Sequence, residues 1–179
     1  MSGAGRSLLD TALGQIRNQY AAAGADLATL DPTFDAFRKA MVALPELPAT
    51  TPDFSAVPSL GMFWAQATDP SKGELVASLL QADPVALAGT YPGPTLVMSA
   101  ENDMQVPVSD GDLIFDALPT KRKTRVTVAA ANHVFKTEPR AANPAKAAEL
   151  VMAYAEEGRA LAPGTVKAIA EFLKGLDGG

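Results

Sequence analysis

Two residues near the middle of the chain have the types needed for acid–base chemistry: Asp103 and His133, the latter the only histidine among 179 residues. A carboxylate that holds one imidazole nitrogen leaves the other free to take a proton from a hydroxyl, and it stabilises the imidazolium that forms. Each stands just past a short apolar run. Pro94-Thr-Leu-Val-Met-Ser-Ala-Glu-Asn-Asp103 ends in the acid, and Thr124-Arg-Val-Thr-Val-Ala129 leads into Ala131-Asn-His133. Runs of this kind, rich in β-branched residues and bounded by Gly-Pro or polar residues, predict strands over 94–100 and 124–129. Between them, 108–118 reads as a helix with Leu113, Ile114 and Leu118 inward. Strands joined by a helix run parallel and bring their C-terminal ends to one sheet edge, where open α/β folds bind ligands. The spacing therefore predicts an α/β fold in which acid and imidazole meet.

Other candidates are weaker. Glu101 lies two residues before Asp103 on the same side of the chain and is an alternative acid. Asp110, Asp112 and Asp116 suggest a metal site on first sight, but they lack the glycine and final glutamate of a calcium loop, and their spacing fits a helix surface. No metal and no cofactor is expected. Gly3 and Gly5 could open a dinucleotide-binding turn, yet Leu8 takes the third glycine position and no strand precedes it. A serine nucleophile needs a tight strand-to-helix turn. Ser2 and Ser7 lack the strand, Ser55 and Ser59 lie in a proline-rich stretch, Ser71 and Ser78 are helical, and Ser99 is inside a strand.

Composition narrows the function classes. A net charge of −5 without a basic block argues against a nucleic-acid surface. Lys121-Arg-Lys123, the one basic run, reads as a solvated helix-to-strand turn. The absence of cysteine removes disulfides, zinc-thiolate sites and thiol nucleophiles. No apolar run approaches the ~20 residues of a bilayer span, and no export pattern opens the chain, so a cytoplasmic, membrane-free protein is expected.

Taken in order, 8–23 has helical periodicity through Leu9, Ala12, Leu13, Ile16 and Tyr20, with Gly24 as the stop. Asp31-Pro32 reads as a helix start, followed by a face of Phe34, Phe37, Met41 and Leu44. Pro45, Pro48, Pro52 and Pro58 mark a connection expected to fold over a site. Helical pieces follow around Leu60–Trp64 and from Asp69-Pro70 through Leu80. Asn143-Pro144 predicts a helix to about Glu157. Pro163 predicts a last helix packing Val166, Ile169, Ala170, Phe172 and Leu173 on the sheet.

Leu96-Val-Met-Ser-Ala-Glu-Asn-Asp103-Met-Gln-Val-Pro107, followed by Ala131-Asn-His133-Val-Phe-Lys136, resembles the last third of an α/β-hydrolase, and the resemblance extends over roughly residues 1–175. It implies residues 1–90 as a helical cap region with an apolar acyl pocket. Residues 91–179 are then the C-terminal α/β portion, two parallel strands with flanking helices. Asp103 and His133 become the acid and base of a Ser–Asp–His triad that hydrolyses an ester, thioester or amide of a small acyl substrate. One departure is decisive: the family's nucleophile elbow, Gly-x-Ser-x-Gly, is absent. The chain is thus expected to be a C-terminal portion, inactive alone, completed by an N-terminal half or self-associating through an exposed strand. The alternative is a non-catalytic binding domain derived from the same fold.

Overall fold

A computed structural model describes residues 5–44, 46, 50–143 and 146–176. The chain divides into two compact units: Ser7–Ala82, and a second formed by Gly5 and Arg6 together with the chain from Asp83 onward. The boundary expected at 90/91 thus falls inside the second unit. None of the described helices is long and apolar enough to cross a membrane.

Among its described residues the first unit holds four helices: α1 (Leu8–Ala22), α2 (Leu27–Val42), α3 (Pro58–Ala67) and α4 (Gly73–Gln81). Ser7 caps α1 by accepting from the Asp10 amide at 3.0 Å. The sequence placed the second helix start at Asp31-Pro32, and the structure moves it back to Leu27. Asp26 is the cap, accepting from the Ala28 amide at 3.0 Å, while Asp31 pairs with Arg17. Pro32 then lies inside α2 and leaves the Ala28 carbonyl without its intrahelical donor. Asp69-Pro70 likewise makes a turn rather than a helix start. The Asp69 carboxylate is used on Ser71, through the amide at 2.8 Å and the hydroxyl at 2.6 Å, and α4 begins at Gly73. A Cβ at Gly73 would stand 2.5 Å from the Ala67 carbonyl oxygen, so this close approach requires glycine. The core is Phe37, Met41, Val57 and Leu60, all essentially inaccessible, with Phe54 edge-on to Phe37 at 5.4 Å. Pro45 and Pro48 of the proline-rich connection lie outside the described residues.

The second unit is mixed helix and strand. Its elements are α5 (Pro84–Gly89), β1 (Thr95–Ala100), α6 (Val108–Ala117), β2 (Lys123–Val128), α7 (Ala147–Met152), a 3₁₀ turn (Ala153–Ala155) and α8 (Thr165–Leu176). The two strands pair in parallel with Thr95 opposite Lys123 and Ala100 opposite Val128. The α/β reading of this half, and both strands within a residue at each end, agree with the sequence expectation. Lys123 corrects one detail. It opens β2 instead of standing in a solvated turn, and its ammonium donates to the Phe115 and Leu118 carbonyls at 2.7 and 2.9 Å, closing the end of α6.

Two strands make a narrow sheet, and that decides what the flanking helices can bury. Strands lie about 4.8 Å apart, whereas a helix with its side chains is about 10 Å across. The small core consists of Ala100, Val128, Ala131 and Ala162, with Met98, Val126 and Phe135 partly buried against it. The apolar face of α8, expected to pack on the sheet, stays largely outside: Val166 is 63% exposed and Leu173 53%. Leu113 of α6 is also exposed, although Leu118 is buried as expected. The helix expected over 143–157 ends early, because the chain tightens into the 3₁₀ turn after Met152 and turns at Gly158, φ +76°, while Pro144 of its expected start lies outside the described residues.

Candidate functional site

The ladder between β1 and β2 does not stop at the strand ends. The Glu101 amide donates to the Val128 carbonyl at 3.0 Å, and the Asn102 amide donates to the Ala131 carbonyl at 2.9 Å. The two loops that follow therefore leave the sheet side by side. A third link comes from the Asn102 side chain, which donates to the Glu138 carbonyl at 2.6 Å. A fourth pins the strained Ala130, φ +48°: its amide donates to Glu101 Oε2 at 2.8 Å. Glu101 is thereby turned to the main chain rather than to the imidazole.

Asp103 divides its two oxygens between structure and chemistry. Oδ1 accepts from the Gln105 and Val106 amides at 2.7 and 3.0 Å, an Asx turn that fixes the side chain. Oδ2 is left to face His133 Nδ1 at 2.9 Å. The Asp103 side chain is 9% exposed and that of His133 22%. His133 rides on a turn built by Asn132, whose Oδ1 accepts from the Val134 and Lys136 amides at 3.2 and 3.0 Å. Asn132 is itself buried, and its Nδ2 has no partner among the described residues. With Nδ1 bonded to a carboxylate, the neutral ring carries its proton there, and Nε2 presents a lone pair. The hydrogen bond from the ring to Asp103 is made through Nδ1, and the hydroxyls of Ser71 and Ser78 make their hydrogen bonds elsewhere, with Asp69 and with the Leu75 carbonyl. Ser2 lies outside the described residues.

Tyr154, in the 3₁₀ turn, stacks on His133 with ring centroids 5.9 Å apart and planes 27° apart. Its phenol is pushed up to about 12, by burial first and the Asp103 charge second. The buried hydroxyl lies near the Gln105 side chain and the Met104 and His133 main chain, although no described group meets hydrogen-bond geometry with it. Lys136 anchors the turn, donating to the Tyr154 and Glu156 carbonyls at 3.0 and 3.1 Å.

Below the loops, Glu138 is 1% exposed and receives Arg140 through Nε at 2.7 Å and Nη2 at 2.8 Å, with Arg159 Nη1 at 3.4 Å. The Arg140 hydrogen bonds hold its carboxyl below the usual value of 4.5 against the opposing effect of burial. Asp110, expected on a helix surface, is buried instead. Arg6 Nε reaches its two oxygens at 3.0 and 3.2 Å, and a Cβ on Gly5 would clash with the Asp110 backbone. Asp112 pairs with Arg125 at 2.5 Å, so the three aspartates do not converge. Among the described residues no group of three acidic or histidine side chains is placed to hold a metal ion.

Sequence reasoning brought Asp103 and His133 forward and missed Tyr154, Glu138, Asn102 and Asn132. Tyr154 had one available signal, being the only aromatic residue between Asn143 and Gly164. Glu138 had little, because Arg140 two residues on reads as an ordinary surface neighbour and Arg159 becomes a partner only once the chain has folded back. No protein-family model, curated protein or solved structure matches this chain.

Proposed function

We propose that this chain supplies the acid and the base of a Ser–Asp–His relay of the α/β-hydrolase type, acting on a small ester, thioester or amide. Asp103 orients the ring and balances the imidazolium; His133 takes the proton of an attacking hydroxyl through Nε2 and returns it to the leaving group. The observation that carries this reading is the 2.9 Å contact between Nδ1 and Asp103 Oδ2 past the C-terminal ends of two adjacent parallel strands. The partly exposed imidazole and the fully committed Oδ1 suit the same roles.

The nucleophile and the oxyanion donors are assigned to a separate segment or chain carrying a Gly-x-Ser-x-Gly elbow, since the sequence contains no such motif. Alone, the pair can polarise a water at most. In serine proteases stripped of triad members, the residual ~10³–10⁴-fold effect comes from the oxyanion hole and binding, and neither is assigned to these residues.

The test is hydrolysis of short-chain aryl esters by the purified chain and by His133→Ala, each with and without an added polypeptide bearing an elbow. The expected result is no difference between the two proteins alone, and turnover in the mixture that His133→Ala abolishes. A mixture that binds acyl ligands but never turns them over would favour a binding domain built on the same scaffold.

A further inference from the structure

Tyr154 has no place in the relay just described, yet it meets both loops. Its ring covers one face of His133 at 5.9 Å, its hydroxyl end lies buried beside Met104 and Gln105 of the acid loop, and its carbonyl is tied to Lys136 of the base loop at 3.0 Å. We infer that Tyr154 is a positioning residue: it holds the imidazole plane against Asp103 and keeps water from the Nδ1–Oδ2 hydrogen bond.

The physical case has two parts. An imidazole has two torsions, and a single hydrogen bond to Asp103 Oδ2 leaves the ring free to rock about that bond. A flat partner on one face removes this freedom and adds the offset-stacking energy of an aromatic pair. A hydrogen bond with one charged partner is also the kind that open water weakens most, so a ring that excludes water strengthens it. The anchoring is local to the base loop, because Lys136 lies three residues after His133 and fixes the 3₁₀ turn that carries the tyrosine. Ring contact, not the hydroxyl, is the working part, since the ring is what stacks on the imidazole.

This inference rests on the relay reading for its purpose but not for its test. With one histidine in the chain, every imidazole NMR signal belongs to His133. The experiment compares the wild type with Tyr154→Phe and Tyr154→Ala, using the dispersion of the β1 and β2 amides to show that each is folded. The expected result is a slowly exchanging Nδ1–H signal and ring-current-shifted carbon-bound protons in the wild type, both kept by Tyr154→Phe. Tyr154→Ala should lose the ring-current shift and exchange its Nδ1–H faster, by on the order of tenfold, the upper end of what an aromatic pair contributes. A folded Tyr154→Ala with unchanged shifts and exchange overturns the positioning role. So does a Tyr154→Phe that behaves like Tyr154→Ala, since the ring would then not be what holds the imidazole. Should the wild type itself show no Nδ1–H bonded to a carboxylate, the relay reading fails instead.

Discussion

The side-chain amide of Asn102 donates to the main-chain carbonyl of Glu138 at 2.6 Å, joining the loop that follows β1 to the segment that follows β2. One residue further on is Asp103, so this bond sets the height at which the acid faces the imidazole. Asn102→Ala leaves a carbonyl without its donor in a partly buried place. The expected loss is about 1 kcal/mol, read as a lower urea midpoint at unchanged slope. The same change should broaden the His133 signals, because the two loops then move more independently.

Glu138 makes the second unit sensitive to acid. Its folded carboxyl titrates below 4.5, held there by Arg140 in the first place, so folding is favoured by deprotonation. The sign follows: this contribution is present above pH 4.5 and is lost as pH falls through the depressed folded value. Glu138→Gln should therefore flatten the steep part of the acid-unfolding curve below pH 4.5. At pH 7 it should cost about 2 kcal/mol, the order of a hydrogen bond to a charged group. An acid-unfolding profile identical to the wild type would show that Arg140 and Arg159 are not held by this carboxylate.

Among the described residues the sheet has two strands, so each has an edge without a described strand neighbour. β2 carries Lys123 and Arg125, whereas β1 (Thr-Leu-Val-Met-Ser-Ala) carries no charge. The amides of Thr95 and Glu101 point to β2, so by strand alternation those of Leu96 and Met98 point away. Uncharged, unpaired edges recruit other strands. Association that grows with concentration is expected in light scattering, either with a second copy or with an elbow-bearing partner. Leu96→Pro should weaken it, since proline removes an outward N–H and spares the bonds to β2. A clean monomer at high concentration contradicts this expectation.

Stability should be distributed unevenly. Met41 is fully buried in the first unit, and Met41→Ala should cost about 2–5 kcal/mol in thermal or urea unfolding. Val166→Ser on the exposed face of α8 should stay within about 0.5 kcal/mol, despite the apolar periodicity of that helix.

Much of this was legible from residue order. The runs ending at Ala100 and Val128 are short, apolar and β-branched, and the helix between them forces a parallel crossover, so the meeting of Asp103 and His133 followed from local pattern plus one topological rule. The misreadings share a cause. Periodicity shows which face of α8 is apolar but not whether a surface wide enough exists to cover it. Asp110 looked like helix surface because its partner, Arg6, is 104 residues away. Asp31-Pro32 looked like a start because the cap at Asp26 carries no proline to announce it. Tyr154 lay in a segment read as ordinary helix, and only the 3₁₀ tightening after Met152 turns its ring onto His133.

The orientation of the imidazole by Asp103 is most directly tested by the ¹⁵N shifts of the lone histidine at a pH where the ring is neutral. The relay predicts protonated Nδ1 and bare Nε2 in the wild type. In Asp103→Asn the proton should move to Nε2, because an amide NH₂ facing Nδ1 favours the other tautomer. A wild-type ring protonated at Nε2, or one whose tautomer ignores Asp103→Asn, would contradict the account.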